Sequence, residues 1–270
     1  MTIIETIEKR KSIRNYTGEP LKKEHAALIT DCIAGLKAPF DAPSVRIQLI
    51  HNRQSGRAKL GTYGIIGGAS DFLTLVYEKE SSFPLMEEAA AYIFEQVILF
   101  CTGLGLGTCW LGGAFSRKDF AEPIGLKPDE VLRIVSPVGY INPKIRFTET
   151  LFGSKGKHLS RKPFESLFFH GDFNTPLSKE AAGIYEKPLE MVRIAPSANN
   201  QQTWRIVLDE NNLHFYQHLS MIGFSAIDLG IALCHFEQTC KELGIAGKFK
   251  VLENKVPEKK GEKYVISWTV

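Results

Sequence analysis

The first residues that could do chemistry form a basic cluster near the N-terminus. Arg10, Lys11 and Arg14 place three cations within one turn of chain, and Ser12 adds a hydroxyl between them. Positive charge combined with directional donors suits a dianionic phosphate. The same cations would also be stabilised at the C-terminus of a short helix by the helix dipole, so this segment alone leaves both interpretations open.

A second basic pair comes later in the chain. Lys144 and Arg146 follow the run Gly139–Ile141. On an extended chain, two side chains separated by a single residue point to the same side. By itself this pair is weak evidence for an anion site.

Glycines are concentrated between Gly103 and Gly113. Their GxGxG spacing follows a predicted helix and lacks the Gly-Lys-Ser/Thr of a P-loop, so neither a P-loop nor a dinucleotide fingerprint is indicated. Gly103 or Gly105 is better explained as a helix C-cap. Gly112 and Gly113 end a short extended segment, where two residues without Cβ let backbone N–H groups approach a flat ligand, and a plain turn explains them equally well.

The densest group of amides lies in Ala195–Trp204. Four amide side chains and two hydroxyls precede a predicted strand there. Each amide offers both a donor and an acceptor, which matches the edge of a fused heterocycle such as the pyrimidine ring of a flavin. A turn without a ligand explains the same composition equally well.

Composition narrows the classes of function. The 270 residues are 44% hydrophobic and 23% charged, as in a soluble globular protein. Lysine and arginine number 33 against 30 acidic residues, and the surplus of +3 indicates neither nucleic acid nor a membrane as partner. Five cysteines without a CxxC pair, and an N-terminus without a signal peptide, predict a cytoplasmic protein. The histidine spacing predicts no metal site.

Helices and strands alternate in the first half. A capping box at Thr2 and Glu5 predicts the first helix. The longest apolar run contains Glu87, Glu88 and Glu95 and ends in glycines, so it predicts a buried core helix and falls short of a membrane span. Predicted helices cover 3–10, 20–35 and 85–102, and predicted strands cover 45–50, 72–77 and 134–141.

The two halves of the chain share a weak internal repeat. Pro20–Glu24 resembles Pro176–Glu180 at a helix start, and Cys101–Leu106 resembles Cys240–Ile245 at the end of a long helix. A Pro-Ser pair also precedes a predicted strand in each half. The alternative is chance similarity of short helix-strand segments. If the repeat is real, the boundary falls near residues 155–164, where Gly, Ser, Lys and Pro cluster.

The order of these motifs resembles the FMN-dependent nitroreductase superfamily, and in particular its tandem branch with two related halves in one chain. The resemblance rests on Arg-Lys-Ser-x-Arg, Trp-Leu-Gly-Gly, Lys-x-Arg and Pro-Ser-Ala-Asn-Asn-Gln, and it covers most of the chain. It implies an α+β fold in which two related halves, 1–160 and 161–270, form a pseudo-dimer.

The resemblance also implies roles for the candidate residues. The residues that would hold the FMN phosphate are Arg10, Lys11, Ser12, Arg14, Lys144 and Arg146. The residues that would lie against the flavin ring are Leu111, Gly112 and Gly113, with Trp110 lining the pocket. The residues that would approach from the second half are Pro196, Ser197, Asn199, Asn200 and Gln201.

The two halves differ at these motifs. Ser166–His170 lacks the cations of the first half's basic cluster, and the chain ends without a Lys-x-Arg. Reciprocally, Asp41–Val45 lacks the amides of the second half. One composite site is therefore expected, within a monomer.

The activity implied by the resemblance is electron transfer from NADH or NADPH, through FMN, to a nitroaromatic, quinone or other small conjugated acceptor. The cofactor would carry the chemistry, so no side chain is predicted as nucleophile or general base. Reductive dehalogenation, flavin destruction, and a flavin sensor or storage protein without turnover remain alternatives.

Overall fold

The computed structural model describes residues 1–43, 45–51, 61–143 and 160–270. Within these ranges the helices are α1 (Ile3–Lys9), α2 (Lys23–Gly35), α3 (Met86–Gly103), α4 (Arg117–Ala121), α5 (Lys179–Ala182), α6 (Glu186–Arg193) and α7 (Ser225–Glu242). The strands are β1 (Arg46–His51), β2 (Asp71–Glu78), β3 (Gly107–Thr108), β4 (Glu130–Gly139), β5 (Phe168–His170), β6 (Trp204–Asp209), β7 (Asn212–His218), β8 (Lys248–Lys250) and β9 (Glu262–Thr269).

The strands form two sheets of matching order. The first sheet has the order β1-β2-β4-β3 and is antiparallel throughout. The second sheet repeats this order as β6-β7-β9-β8 and adds β5, which is parallel to β6. An irregularity in register follows Leu75 in β2 and Phe215 in β7, which are the corresponding strands of the two sheets. The predicted α+β class is confirmed.

Two long helices, α3 and α7, lie at the centre of the molecule. Each has 18 residues, and most of them are buried on every side of the helix, as expected for helices enclosed by other elements. Gly230 of α7 lies so close to Glu88 and Ala91 of α3 that a Cβ there would overlap them. One hydrophobic cluster joins both helices to both sheets, so the two halves share a core.

Both central helices end in the same way. After α3, Gly105 has φ of +78°, and the Leu106 N–H donates to the Cys101 carbonyl at 3.0 Å. After α7, Gly244 has φ of +69°, and the Ile245 N–H donates to the Cys240 carbonyl at 2.9 Å. These are Schellman caps, which need a residue that tolerates positive φ. The predicted cap at Gly105 is confirmed.

The predicted elements are found with shifted ends. The capping box of Thr2 and Glu5 is present, and the long helix lies within one residue of its predicted range. The second helix begins at Lys23 rather than Pro20, because the Leu21 N–H donates to the buried carboxylate of Asp71 and holds the preceding residues extended. No described helix is long and apolar enough to cross a membrane.

The N-terminal helix α1 crosses to the second half of the chain. The Ile3 N–H donates to Glu242 at the end of α7, and Glu8 forms an ion pair with Lys187 of α6 at 2.7 Å. The segment after α1 then returns to the first sheet. This path places the basic cluster at the junction between the two halves.

Candidate functional site

The basic cluster lies on an extended segment between two parts of the first half. The Ile13 N–H donates to the Thr108 carbonyl of β3 at 2.8 Å. On the other side, the Gly67 N–H donates to the Arg14 carbonyl at 2.9 Å. Backbone contacts on both sides therefore fix the direction of the side chains. Lys11 and Ser12 are exposed, whereas Arg14 is partly buried.

Arg10 is the most enclosed cation of the cluster. Its Nη1 is buried and has no hydrogen-bond partner among the described residues. Burial lowers the pKa of the guanidinium, and the charge of Glu95 opposes that shift. Leaving a buried guanidinium donor without an acceptor costs free energy. An anionic or carbonyl-bearing ligand would supply the missing acceptor.

The amide loop of the second half has an unusual backbone. Asn199, Asn200 and Gln202 have φ of 50°, 57° and 49°, in the left-handed region, which asparagine tolerates better than most residues. The Gln202 N–H donates to the Ser197 Oγ at 2.8 Å, across the turn. Gln202 was not among the predicted site residues, although its side chain is buried here and hydrogen bonds to Asn200.

Asp228 of α7 anchors this loop at both ends. Its carboxylate accepts the Ala198 N–H at 2.8 Å and the Thr203 hydroxyl at 3.0 Å. Burial raises the pKa of Asp228 to about 7, and the two hydrogen bonds limit the shift. The loop is therefore held by a carboxyl group that titrates near neutral pH.

Arg161 binds the amide loop and lies near the basic cluster. Its guanidinium donates to the Asn200 Oδ1 at 2.6 Å and to the Ile194 carbonyl at 3.0 Å. Burial lowers its pKa, and the positive charges of Arg10 and Arg193 lower it further. Two guanidiniums, one from each half of the chain, therefore lie close enough to repel each other. Such an arrangement favours an anion between or beside them.

Arg161 and Lys162 were missed by the sequence analysis. The ammonium of Lys162 donates to the Gln201 carbonyl at 2.7 Å, so both cations hold the amide loop. The available signal was a pair of adjacent cations at the predicted boundary between the halves.

The two adjacent glycines have different surroundings. A Cβ on Gly112 would lie 2.5 Å from the ring of Phe224, whereas a Cβ on Gly113 would meet nothing within 4 Å. The ring of Phe224 is covered by the guanidinium of Arg133 at 4.4 Å from its centroid. Just before the glycines, Leu111 pairs with Val135 through two backbone hydrogen bonds. Gly112 is thus required by packing between the halves, and Gly113 is open to a ligand.

Trp110 is held by the protein core. Its indole Nε1–H donates to the Glu95 Oε2 at 2.8 Å, and its ring meets Phe94 edge to face at 5.0 Å between centroids. The other carboxylate oxygen of Glu95 lies 2.9 Å from the His235 Nε2. Glu95 and His235 are fully buried.

The structure places several of the predicted residues at the junction of the halves. Arg10 lies near Arg161, which donates to Asn200, while Gln201 turns its side chain to accept from the Ser220 hydroxyl at 2.5 Å. Lys144 and Arg146 lie outside the described residues. Pro196 and Ser197 are partly buried, whereas Asn199 is exposed.

Two sheets of matching order around two buried helices, with a cationic segment facing an amide loop across the junction, define a nitroreductase-like α+β protein. The family model described as "Putative TM nitroreductase" matches residues 2–240, and the chain belongs to this family.

The fold is shared with solved structures. A structure described as a "putative nitroreductase" from Thermotoga maritima aligns with a TM-score of 0.62 and 21% identity, covering 99% of this chain and 93% of that one. An FMN-dependent nitroreductase from Clostridium difficile aligns over 53% of this chain and 90% of its own, at 19% identity and a TM-score of 0.42. A nitroreductase with bound FMN from Bacteroides fragilis aligns over 54% of this chain and 91% of its own, at 15% identity and a TM-score of 0.42. No curated protein matches the sequence.

Membership of the nitroreductase family supports a flavin oxidoreductase as the general kind of protein.

Proposed function

We propose that this protein is an FMN-dependent oxidoreductase that takes electrons from NADH or NADPH and passes them to a small nitroaromatic, quinone or similar conjugated acceptor. The observation that carries the proposal is the buried, unpartnered donor of Arg10 near Arg161, which itself binds Asn200 of the second half. Arg10 brings a buried donor without an acceptor, and the other two residues bring charge and an amide from the opposite side.

The donors at this junction fit the chemistry of FMN. A flavin mononucleotide has a dianionic phosphate and a pyrimidine edge with two carbonyl acceptors and one N–H donor. Arg10, Arg14 and Ser12 offer the charge and hydroxyl that hold a phosphate or an electron-rich ring edge. We propose that Lys11, Lys144 and Arg146 complete the phosphate site. Ser197, Asn199, Asn200 and Gln201 belong to the loop that closes the site from the second half.

The protein's own residues would bind and orient the cofactor. Bound FMN supplies the redox chemistry, as it can accept a hydride from a nicotinamide and release electrons to an acceptor. The positive charge of Arg10 stabilises negative charge that develops nearby, because the guanidinium is buried and weakly screened. The backbone at Gly113 lets a flat ring approach closely, and Asp228 keeps the amide loop in place.

We propose further that the halves 1–160 and 161–270 descend from one duplicated unit and that the chain acts as a cytoplasmic monomer. The matching strand order, the corresponding register irregularities and the identical helix caps support the duplication. All five cysteines are unpaired, which favours a reducing compartment.

A visible spectrum of the purified protein tests the proposal. We expect flavin absorption that bleaches on anaerobic addition of NADH or NADPH and returns when a quinone or nitroaromatic is added. Steady-state kinetics with both substrates should give parallel double-reciprocal lines, since donor and acceptor would use the same cofactor face in turn. Protein that binds FMN without reduction by either nucleotide would instead support a sensor or storage role.

A further inference from the structure

A buried pair of ionisable groups links the two halves next to the candidate site. Glu95 of α3 and His235 of α7 are both fully buried, and their Oε1 and Nε2 atoms lie 2.9 Å apart. On its far side, the His235 Nδ1 lies 3.0 Å from the Met191 carbonyl. On the far side of Glu95, the second carboxylate oxygen accepts from the Trp110 indole at 2.8 Å.

The partners determine where the protons lie. The Met191 carbonyl only accepts, so the His235 Nδ1 must carry a hydrogen. The indole Nε1–H of Trp110 only donates, so the Glu95 Oε2 must accept. One proton is therefore shared between Oε1 and Nε2, either on the imidazole or on the carboxyl group. Every polar atom of this chain of hydrogen bonds has a partner, which gives Trp110 one fixed orientation.

The chain of hydrogen bonds lies beside two parts of the candidate site. Trp110 directly precedes Leu111–Gly113, the segment proposed to lie against the flavin ring. Glu95 also lies near Arg10, whose buried Nη1 lacks an acceptor among the described residues. The two side chains form no ion pair, so Arg10 remains available to a ligand.

We propose that Glu95 and His235 are positioning residues of the cofactor site. They hold Trp110 in one orientation and so fix the start of Leu111–Gly113, the segment proposed to lie against the flavin ring. The pair thus sets how well that segment is prepared to receive the ring. This inference rests on the proposed function, because the group that responds is FMN.

The variants Glu95→Ala and Glu95→Gln test this role. The glutamine keeps every hydrogen bond, because its amide oxygen can accept from Trp110 and its NH₂ can donate to the His235 Nε2, whereas alanine removes both partners. We expect FMN affinity to fall about tenfold in Glu95→Ala, because the Trp110 indole loses its acceptor, and to stay at the wild-type value in Glu95→Gln. Fluorescence titration of each protein with FMN measures this.

The matched control is Glu88→Ala. Glu88 is another buried carboxyl on the same helix, but its side chain hydrogen bonds to Gln217 and not to Trp110. Its truncation should leave FMN affinity at the wild-type value. Wild-type affinity in Glu95→Ala, or an equal loss in Glu95→Ala and Glu88→Ala, would overturn the proposal while leaving the proposed function intact. A wild-type protein that binds no FMN would overturn both.

Indole NMR supplies a second readout that needs no cofactor. The buried Nε1 of Trp204 has no hydrogen-bond partner in the described part of the chain, whereas that of Trp110 does. The Trp110 indole proton, assigned through Trp110→Phe, should be shifted downfield and slow to exchange in the wild type and in Glu95→Gln. Fast exchange in the wild type would contradict the positioning role.

Discussion

Single residues of the site carry a cost to folding. Arg10 is a buried cation that is only partly compensated, and Asp228 is a buried carboxyl group whose pKa is raised to about 7. The Arg10 Nη1 has no acceptor among the described residues, and an unpaired buried polar group costs about 1–3 kcal/mol. Asp228 is paired with Ala198 and Thr203, so its cost is that of burying the charged form. Substitution of each residue should separate stability from binding.

For Arg10→Met, we expect weaker FMN binding and an apoprotein at least as stable as the wild type. A charge-assisted hydrogen bond to a buried ligand contributes roughly 1.5–3 kcal/mol, so affinity should fall about tenfold or more. The apoprotein gains because a buried donor without an acceptor is removed. Calorimetric titration with FMN and thermal unfolding of the apoprotein measure the two effects.

Lys9→Met is the matched control for Arg10→Met. Lys9 is an exposed cation one residue earlier, at the end of α1. Its replacement should change neither FMN affinity nor apoprotein stability. An Arg10→Met protein that is destabilised yet binds FMN normally would show that Arg10 serves the fold and not the site.

Asp228 should make stability depend on pH. Its pKa in the folded protein is about 7 against an ordinary value of 3.8, so between these values the folded state holds a proton that the unfolded state has released. The contribution of protonated Asp228 to the free energy of unfolding is present below about pH 4 and is lost as the pH rises through about 7. Asp228→Asn should flatten this decline in the free energy of unfolding, as measured by urea denaturation at several pH values.

Glu88 provides a comparison for Asp228. Burial also raises its pKa to about 7, so Glu88→Gln should flatten the pH dependence of stability in the same direction. Glu88 does not contact the amide loop, however, so only Asp228→Asn should alter how FMN affinity varies with pH. An Asp228→Asn protein with the wild-type pH profile of stability would refute the assignment.

At the scale of elements, the site is assembled where short irregular segments meet the ends of regular ones. The basic cluster follows α1, the glycine pair follows β3, and the amide loop precedes β6. The helices and strands provide the rigid frame, and the loops provide backbone groups and side chains. The glycine pair allows a direct test of this division, because Gly112 packs against the ring of Phe224 whereas Gly113 faces open space.

Gly112→Ala and Gly113→Ala should have opposite effects. The methyl group on Gly112 would overlap the Phe224 ring, so this variant should lower the melting temperature. The methyl group on Gly113 meets open space, so that variant should fold normally but bind FMN less tightly. Thermal unfolding and FMN titration of both variants are the measurements. Equal loss of stability in the two would refute the packing explanation.

At the scale of the whole molecule, two corresponding turns have diverged. Phe40 in the first half and Asn199 in the second both have positive φ, and each lies six residues before the arginine of the following strand, Arg46 or Arg205. The second half thus has an amide loop at this turn, whereas the first half has an aromatic residue at the corresponding position. Together with the missing cations at Ser166–His170, this leaves donors for one flavin.

We therefore expect one FMN per chain, bound by a monomer. Flavin released by denaturation, counted against protein concentration, gives the ratio, and light scattering gives the mass. Arg161→Ala should weaken FMN binding although the residue lies in the second half, because it holds Asn200 and adds positive charge near Arg10. Two flavins per chain, or retention of flavin in a dimer alone, would contradict the composite site.

The local elements and the motif positions followed from the sequence alone. The capping box at Thr2, the apolar helix and the glycine cap at Gly105 depend on neighbouring residues, whose spacing is visible in the chain. The family resemblance likewise needed only the order of four motifs. Such features are determined over a few residues, so no knowledge of distant contacts was required.

The tertiary structure decided what those motifs contact. Arg161 lies beside Arg10, Phe224 covers Gly112, and Glu95 is paired with His235, although each pair is separated by more than a hundred residues. No periodicity or propensity encodes such pairs. They depend on how the two central helices and two sheets pack, and side chains fill the remaining space only once that packing is set.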